Sequence, residues 1–157
     1  MSRSGYVDDC DDDLQFGRWR GVVASSIRGR RGQKLLKEML AALDAMPIKR
    51  LVANELEAPD LVSFSHWGLI EAPGVCAIGA VGKARGVDMT NLDPEDYNSV
   101  AGTFNIAEPL AQEIVWMNDE AGPFRETPEQ RFARMRKWVA SQIKDAESIA
   151  AAKGSQP

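Results

Sequence analysis

Apolar residues recur along this chain at helical spacing, broken by joints rich in glycine and proline. From Leu14 onward, Phe16, Trp19, Val22, Val23 and Ile27 fall three and four positions apart, which places them on one face of a helix that Asp12 or Asp13 can cap. That helix is expected to stop near Gly29. Leu35, Leu36, Met39, Leu40, Leu43 and Met46 form a second stripe ending before Pro47, and Arg28-Gly29-Arg30-Arg31-Gly32 between the stripes reads as a basic turn whose glycines can take positive φ. The two stripes predict an αα-hairpin.

Near the middle of the chain, residues 74 to 86 (Gly-Val-Cys-Ala-Ile-Gly-Ala-Val-Gly-Lys-Ala-Arg-Gly) are small and apolar until their charged end. Side chains this small let neighbouring helices approach closely, so residues 75 to 86 predict a short central helix that Pro73-Gly74 opens and Gly86 ends, with Cys76 in its first turn. Residues 48 to 73 are less regular. Lys49 to Leu56 can extend the second helix, start another or form a strand, and Leu61 to Trp67 alternates in part, which predicts a small hairpin or an extended loop over the core.

Asp93-Pro94-Glu95-Asp96 places an aspartate ahead of a proline and predicts a capped helix through Tyr97, Val100, Ala101 and Phe104. Another runs from Ala107 to Asn118. Thr127-Pro128-Glu129-Gln130 is a capping box, and it opens a helix whose inner stripe is Phe132, Met135, Trp138, Val139 and Ile143, with Arg131, Arg134, Arg136 and Lys137 facing out or shielding its edges. The expected fold is mainly α: a compact bundle of five or six helices, with room for a small β-hairpin in residues 49-72. Residues 1-13 form an acidic N-terminal segment, 14-146 one helical domain and 147-157 a frayed tail.

Charge changes this picture more than composition does. A chain of 157 residues with 44% hydrophobic content is long enough to bury a core as one domain. Its net charge of −4 is unevenly spread, because Asp8, Asp9, Asp11, Asp12 and Asp13 are followed by Arg18, Arg20, Arg28, Arg30, Arg31, Lys34 and Lys37 with no acid among residues 14 to 37. Those seven are the candidate binding surface. No apolar run is long enough to cross a membrane and no hydrophobic leader opens the chain, so a cytoplasmic protein without membrane contact is expected. Cys10 and Cys76 fit no disulfide or zinc pattern.

Motifs for catalysis fail one by one. Gly82-Lys83 resembles the end of a phosphate-binding loop, but Ala77 stands where its first glycine belongs and Ala84 where it needs a hydroxyl. Gly79 and Gly82 match a G-x-x-G clamp without the flanking strands of an RNA-binding module, and are better read as packing glycines. Cys76 at a helix start could be an activated thiol and His66 is the one histidine, yet nothing in the sequence brings them together; a buried packing cysteine is the better reading. Asn118-Asp119-Glu120 reads as a polar helix end before Gly122-Pro123, and a helix-turn-helix over Val100 to Val115 would present acids to DNA. No metal or cofactor is expected, and the chain reads as no enzyme.

The segment Gly74 to Gly79, the segment Leu110 to Glu120 with its Asn118-Asp119, the opening Met1 to Tyr6 and Arg18-Trp19-Arg20-Gly21 together resemble small uncharacterised phage and prophage proteins that share a C-x-x-G segment and a later Asn-Asp segment. The resemblance implies a phage origin and carries no activity. With the segregated charge it suggests an accessory protein that binds a host macromolecule, a protein sooner than a nucleic acid, with blocking of a host defence or nucleic-acid-processing complex as its mode of action. Nucleic-acid binding through residues 18 to 37, weak and salt-sensitive, is the alternative, and a cysteine- or carboxylate-dependent enzyme comes third.

Overall fold

A computed structural model describes residues 10, 12–58 and 74–144. Its described elements are the helices α1 (Asp13–Arg28), α2 (Arg30–Ala45), α3 (Ala77–Arg85), α4 (Tyr97–Phe104), α5 (Glu108–Asp119) and α6 (Pro128–Gln142), with two short strands, β1 (Glu57–Ala58) and β2 (Gly74–Val75), between α2 and α3. The fold is a helical bundle with a small antiparallel strand pair. Expectations placed on Leu61 to Trp67, including His66, lie outside the described residues.

Asp12 caps α1 by accepting the Gln15 N–H at 2.7 Å, and Val23 and Ile27 are its buried residues. The predicted stripe is only half used: Trp19 is half-buried against the core, Phe16 is half-buried and Val22 is exposed. The first half of α1 therefore meets the core only at its edge, through Trp19. Helix α2 uses more of its stripe, burying Leu35, Leu36, Met39 and Leu43, while Leu40 and the C-cap Met46 are half-buried against the core.

The basic turn is not formed. A single residue, Gly29, joins the two helices with φ −64° and ψ 160°, so positive φ plays no part, and Arg30, Arg31 and Gly32 already belong to α2. Gly32 is needed for closeness instead, since a Cβ there would collide with the Ser26 carbonyl of α1. Removing a side chain lets two helices meet without a loop.

After α2 the chain crosses the bundle through backbone bonds: Leu51 N–H donates to the Pro128 carbonyl at 3.1 Å and Val52 N–H to the Val75 carbonyl at 3.0 Å. Glu57 then pairs with Val75 and Ala58 with Gly74, so Gly74 belongs to a strand and does not open the central helix. Helix α3 is central as expected, buried from Ala77 to Gly82 and packed against α2 and α5. It ends at Gly86, whose φ of 70° is the left-handed conformation that glycine adopts most readily.

Asp96 caps α4, accepting from Ser99 N–H, whereas Asp93 turns the chain locally by accepting from Glu95 N–H. The proline therefore sits in the turn before the helix and not at its first position. Asn105, at φ 55°, closes α4, and the chain enters α5 two residues later. The capping box of α6 is present as read from sequence: Thr127 Oγ1 accepts the Gln130 N–H and the Gln130 side chain accepts the Thr127 N–H. Phe132, Met135 and Val139 are buried beneath α6, and Trp138 and Ile143 pack half-buried at the edge of the core.

Candidate functional site

Cys76 is the cap of α3 and not part of its first turn. Its Sγ accepts the Gly79 N–H at 3.3 Å, which gives the C-x-x-G spacing a physical cause: an N-cap side chain reaches the amide three residues on. Gly79 is required for a second reason. The Leu56 carbonyl, which accepts the Cys76 N–H at 3.1 Å, occupies the space that a Cβ on residue 79 would fill. Burial pushes the Cys76 thiol up to about 12, outweighing the Gly79 hydrogen bond that favours the thiolate. The sulfur acts as a hydrogen-bond acceptor within the packing.

Asn118 completes that junction from α5. Its Oδ1 accepts the Ala77 N–H at 3.1 Å, while its Nδ2 donates to the Val52 carbonyl and to Asp119 Oδ1, both at 2.8 Å. Asp119 Oδ1 also accepts the Asn54 N–H at 3.1 Å, holding a residue whose φ is 65°. The polar helix end expected at residues 118 to 120 is thus a buried bracket at its first member. Asn118 is 1% exposed.

Arg134 secures the same end of α5 from below. It donates to the Met117 carbonyl at 2.5 Å and the Asn118 carbonyl at 3.3 Å, and grips Glu126 through Nε at 2.6 Å and Nη2 at 2.9 Å. Arg131 donates to the Leu51 carbonyl at 2.9 Å and lies 3.5 Å from Glu126. Arg134 thus holds the end of α5 and Arg131 the connection that follows α2, roles their charge alone did not signal. The hydrogen bonds from Arg134 hold the Glu126 carboxyl below its usual range.

The candidate cationic residues separate into two groups. Arg20 turns inward, donating to both oxygens of Glu113 at 2.8 and 3.1 Å and pinning α1 to α5. Arg18, Arg28, Arg30, Arg31, Lys34 and Lys37 are exposed. Arg31 donates to Asn105 at 3.3 Å, and Lys34 lies 4.0 Å from Glu38. Arg30, Lys34 and Lys37 stand four and three residues apart, forming an outward ridge opposite the buried stripe of α2.

The structure adds α6 to this ridge. Lys144 N–H donates to Gln33 Oε1 at 2.8 Å, Gln33 Nε2 donates to the Gln142 carbonyl at 3.0 Å, and Arg136 pairs with Asp44 at 2.5 and 3.1 Å, so α6 runs antiparallel along α2. Lys137 on its outer side and Lys144, two residues past its end, are both exposed and join the same face. Sequence reading set Lys137 on the outside of its helix but did not join either lysine to the α2 cations, because more than 90 residues separate them from α2; Lys144 also follows Ile143, whose ψ of 126° ends the helix, so helical spacing does not place it. The adjoining acids are engaged, Asp44 with Arg136 and Glu38 with Arg85 at 2.7 Å.

Two other features offer less. An open cleft of about 750 Å³ beside β1 and β2 is lined largely by alanine and aliphatic side chains such as Met46, Ile48 and Val75, with Glu57 and Lys83 paired to one another at its rim. Among the described residues no group of three or more histidine, cysteine, aspartate or glutamate side chains could hold a metal ion, and no helix is long and apolar enough to cross a membrane. No protein-family model, curated protein or solved structure matches this chain.

Proposed function

We propose that this chain is a non-catalytic, phage-type accessory protein that binds a macromolecular partner, a protein in preference to a nucleic acid, through the cationic face of α2 and α6. The observation that carries the reading is the antiparallel docking of α6 along α2, fastened by Gln33 to Lys144 at one end and Asp44 to Arg136 at the other. It gathers Arg30, Lys34, Lys37, Lys137 and Lys144 on one surface, beside which Glu38 and Asp44 are already paired with arginines. The phage assignment rests on the sequence resemblance alone. Cys76 and Asn118, the groups with the best claim to chemistry, are committed to backbone hydrogen bonds, which favours binding over catalysis.

Affinity capture from nuclease-treated bacterial lysate tests the reading. A protein retained by the wild type and lost with Lys37→Glu plus Lys137→Glu, at unchanged helicity, is the expected result. Capture that disappears on nuclease treatment would transfer the same face to a nucleic-acid partner, and capture indifferent to the double variant would remove the face from the account.

A further inference from the structure

The packing of α2 against α6 narrows what the cationic face can take. We infer that it receives an acidic helical segment of a protein partner, an inference that rests on the proposed function and adds the shape of the ligand. Two antiparallel helices in contact keep their axes roughly 8–10 Å apart, which sets Lys137 of α6 beside the row of cations on α2. Along α2, Arg30, Lys34 and Lys37 cover about 10 Å at the rise of an α-helix. Between and beside these cations the outward side chains are small: Ala41, Ala133, Ala140 and Ser141 are all exposed. Small residues let the backbone of a third helix come close, and carboxylates three and four residues apart on that helix repeat at the interval of the α2 cations.

A phosphate backbone fits this face less well. Its outward positions, residues 30, 34, 37 and 41 on α2 and residues 133, 137 and 141 on α6, carry no aromatic ring, and ring stacking is what gives single-strand binders much of their affinity. The net charge of −4 opposes a long polyanion, whereas a short acidic helix meets the local cations only.

The test uses the full chain and labelled, alanine-rich peptides of about 20 residues, long enough to form helix. One peptide carries its glutamates on a single helical face; the other has the same composition with the glutamates spread around the helix. A labelled single-stranded DNA serves as third probe, and all are read by fluorescence anisotropy at physiological salt. The one-faced peptide is expected to bind about tenfold more tightly than its rearranged twin, and to lose that advantage with Lys37→Glu plus Lys137→Glu. Equal binding of the two peptides overturns the helical ligand while leaving a cationic face in place. Tighter binding of DNA overturns it in favour of nucleic acid, and failure of all three probes removes the proposed function as well.

Discussion

Asn118 Oδ1 receives the backbone N–H of Ala77 at 3.1 Å, so the Asn-Asp segment and the C-x-x-G segment, 41 residues apart, form one junction. The first turn of α3 offers amide donors that need acceptors, and two are met by side chains: Cys76 Sγ takes the Gly79 N–H and Asn118 takes the Ala77 N–H. Removing either leaves a buried polar group without a partner. Asn118→Ala strands the Ala77 N–H and the Val52 carbonyl together, and is expected to cost about 3 kcal/mol in chemical denaturation. A loss below about 1 kcal/mol would mean that water replaces the amide.

Glycines with and without room separate cleanly in this chain. A Cβ on residue 79 would meet the Leu56 carbonyl, part of a backbone that Cys76 N–H also holds, so it cannot move aside freely. Gly79→Ala is expected to destabilise by about 1–3 kcal/mol. Gly17 and Gly21 lie in α1 with nothing within 4 Å of the added atom, and alanine there is expected to stabilise by about 0.5–1 kcal/mol each. Thermal melts of the three single variants check both signs, and a uniform response would contradict the packing described for α3.

The thiols make a kinetic prediction. Cys10 is half-buried and Cys76 buried, with its thiol pushed up to about 12. A maleimide at neutral pH is expected to modify Cys10 in the native protein and Cys76 only at the rate of unfolding. Labelling of Cys76 as fast as Cys10 would reopen cysteine chemistry.

Glu113 makes the protein sensitive to pH in a window of its own. Burial pushes its carboxyl up to about 7; Arg20 pulls the other way through its bidentate contact, but that guanidinium is 40% exposed and screened, so burial prevails. Between the ordinary glutamate value of 4.5 and about 7 the native state therefore holds more proton than the unfolded chain. Stability falls as pH rises through that interval. Asp44 and Glu126 act oppositely and elsewhere: paired with arginines, their carboxyls are held low, and their contribution is lost only as pH falls through those lowered values. Denaturation midpoints from pH 5 to 8 are expected to decline in the wild type, and the decline is expected to flatten in Glu113→Gln.

Local signals in the sequence placed most of the helices and few of the bonds between them. The α6 capping box and the α2 stripe are set by residues three or four apart, so they were legible. The role of Arg134 was not, because its carbonyl partners belong to α5 and a helical arginine reads as solvent-facing until the neighbour is known. Gly32 misled for a related reason: a glycine after Gly29 suggests a turn, whereas the carbonyl of Ser26 across the joint is what excludes a side chain. Of the candidate surface, the α2 ridge followed from spacing, while Arg20 left it and Lys137 and Lys144 joined it through tertiary contacts alone.

The acidic run ahead of α1 supplies the last prediction. Asp8, Asp9, Asp11, Asp12 and Asp13 precede a segment of seven cations, and the whole chain carries −4, so long-range repulsion opposes anionic ligands that the α2 and α6 face would otherwise attract. Deleting residues 1 to 13 would confuse the result, because Asp12 caps α1 through the Gln15 N–H and its loss frays the helix that bears Arg18, Arg20 and Arg28. Replacing Asp8, Asp9, Asp11 and Asp13 by asparagine keeps the cap and moves the net charge from −4 to zero. Binding of labelled single-stranded DNA, weak in the wild type, is expected to strengthen by about tenfold at low salt and to converge on the wild-type value as salt screens the field. Each contact with phosphate adds about 0.7 to the slope of log affinity against log salt for a single strand. A gain that shrinks as salt rises, and so steepens the slope, is what a screened field requires; a gain of the same size at every salt concentration, with the slope unchanged, would rule the field out. No gain at low salt would show that the acidic run does not govern access to this face.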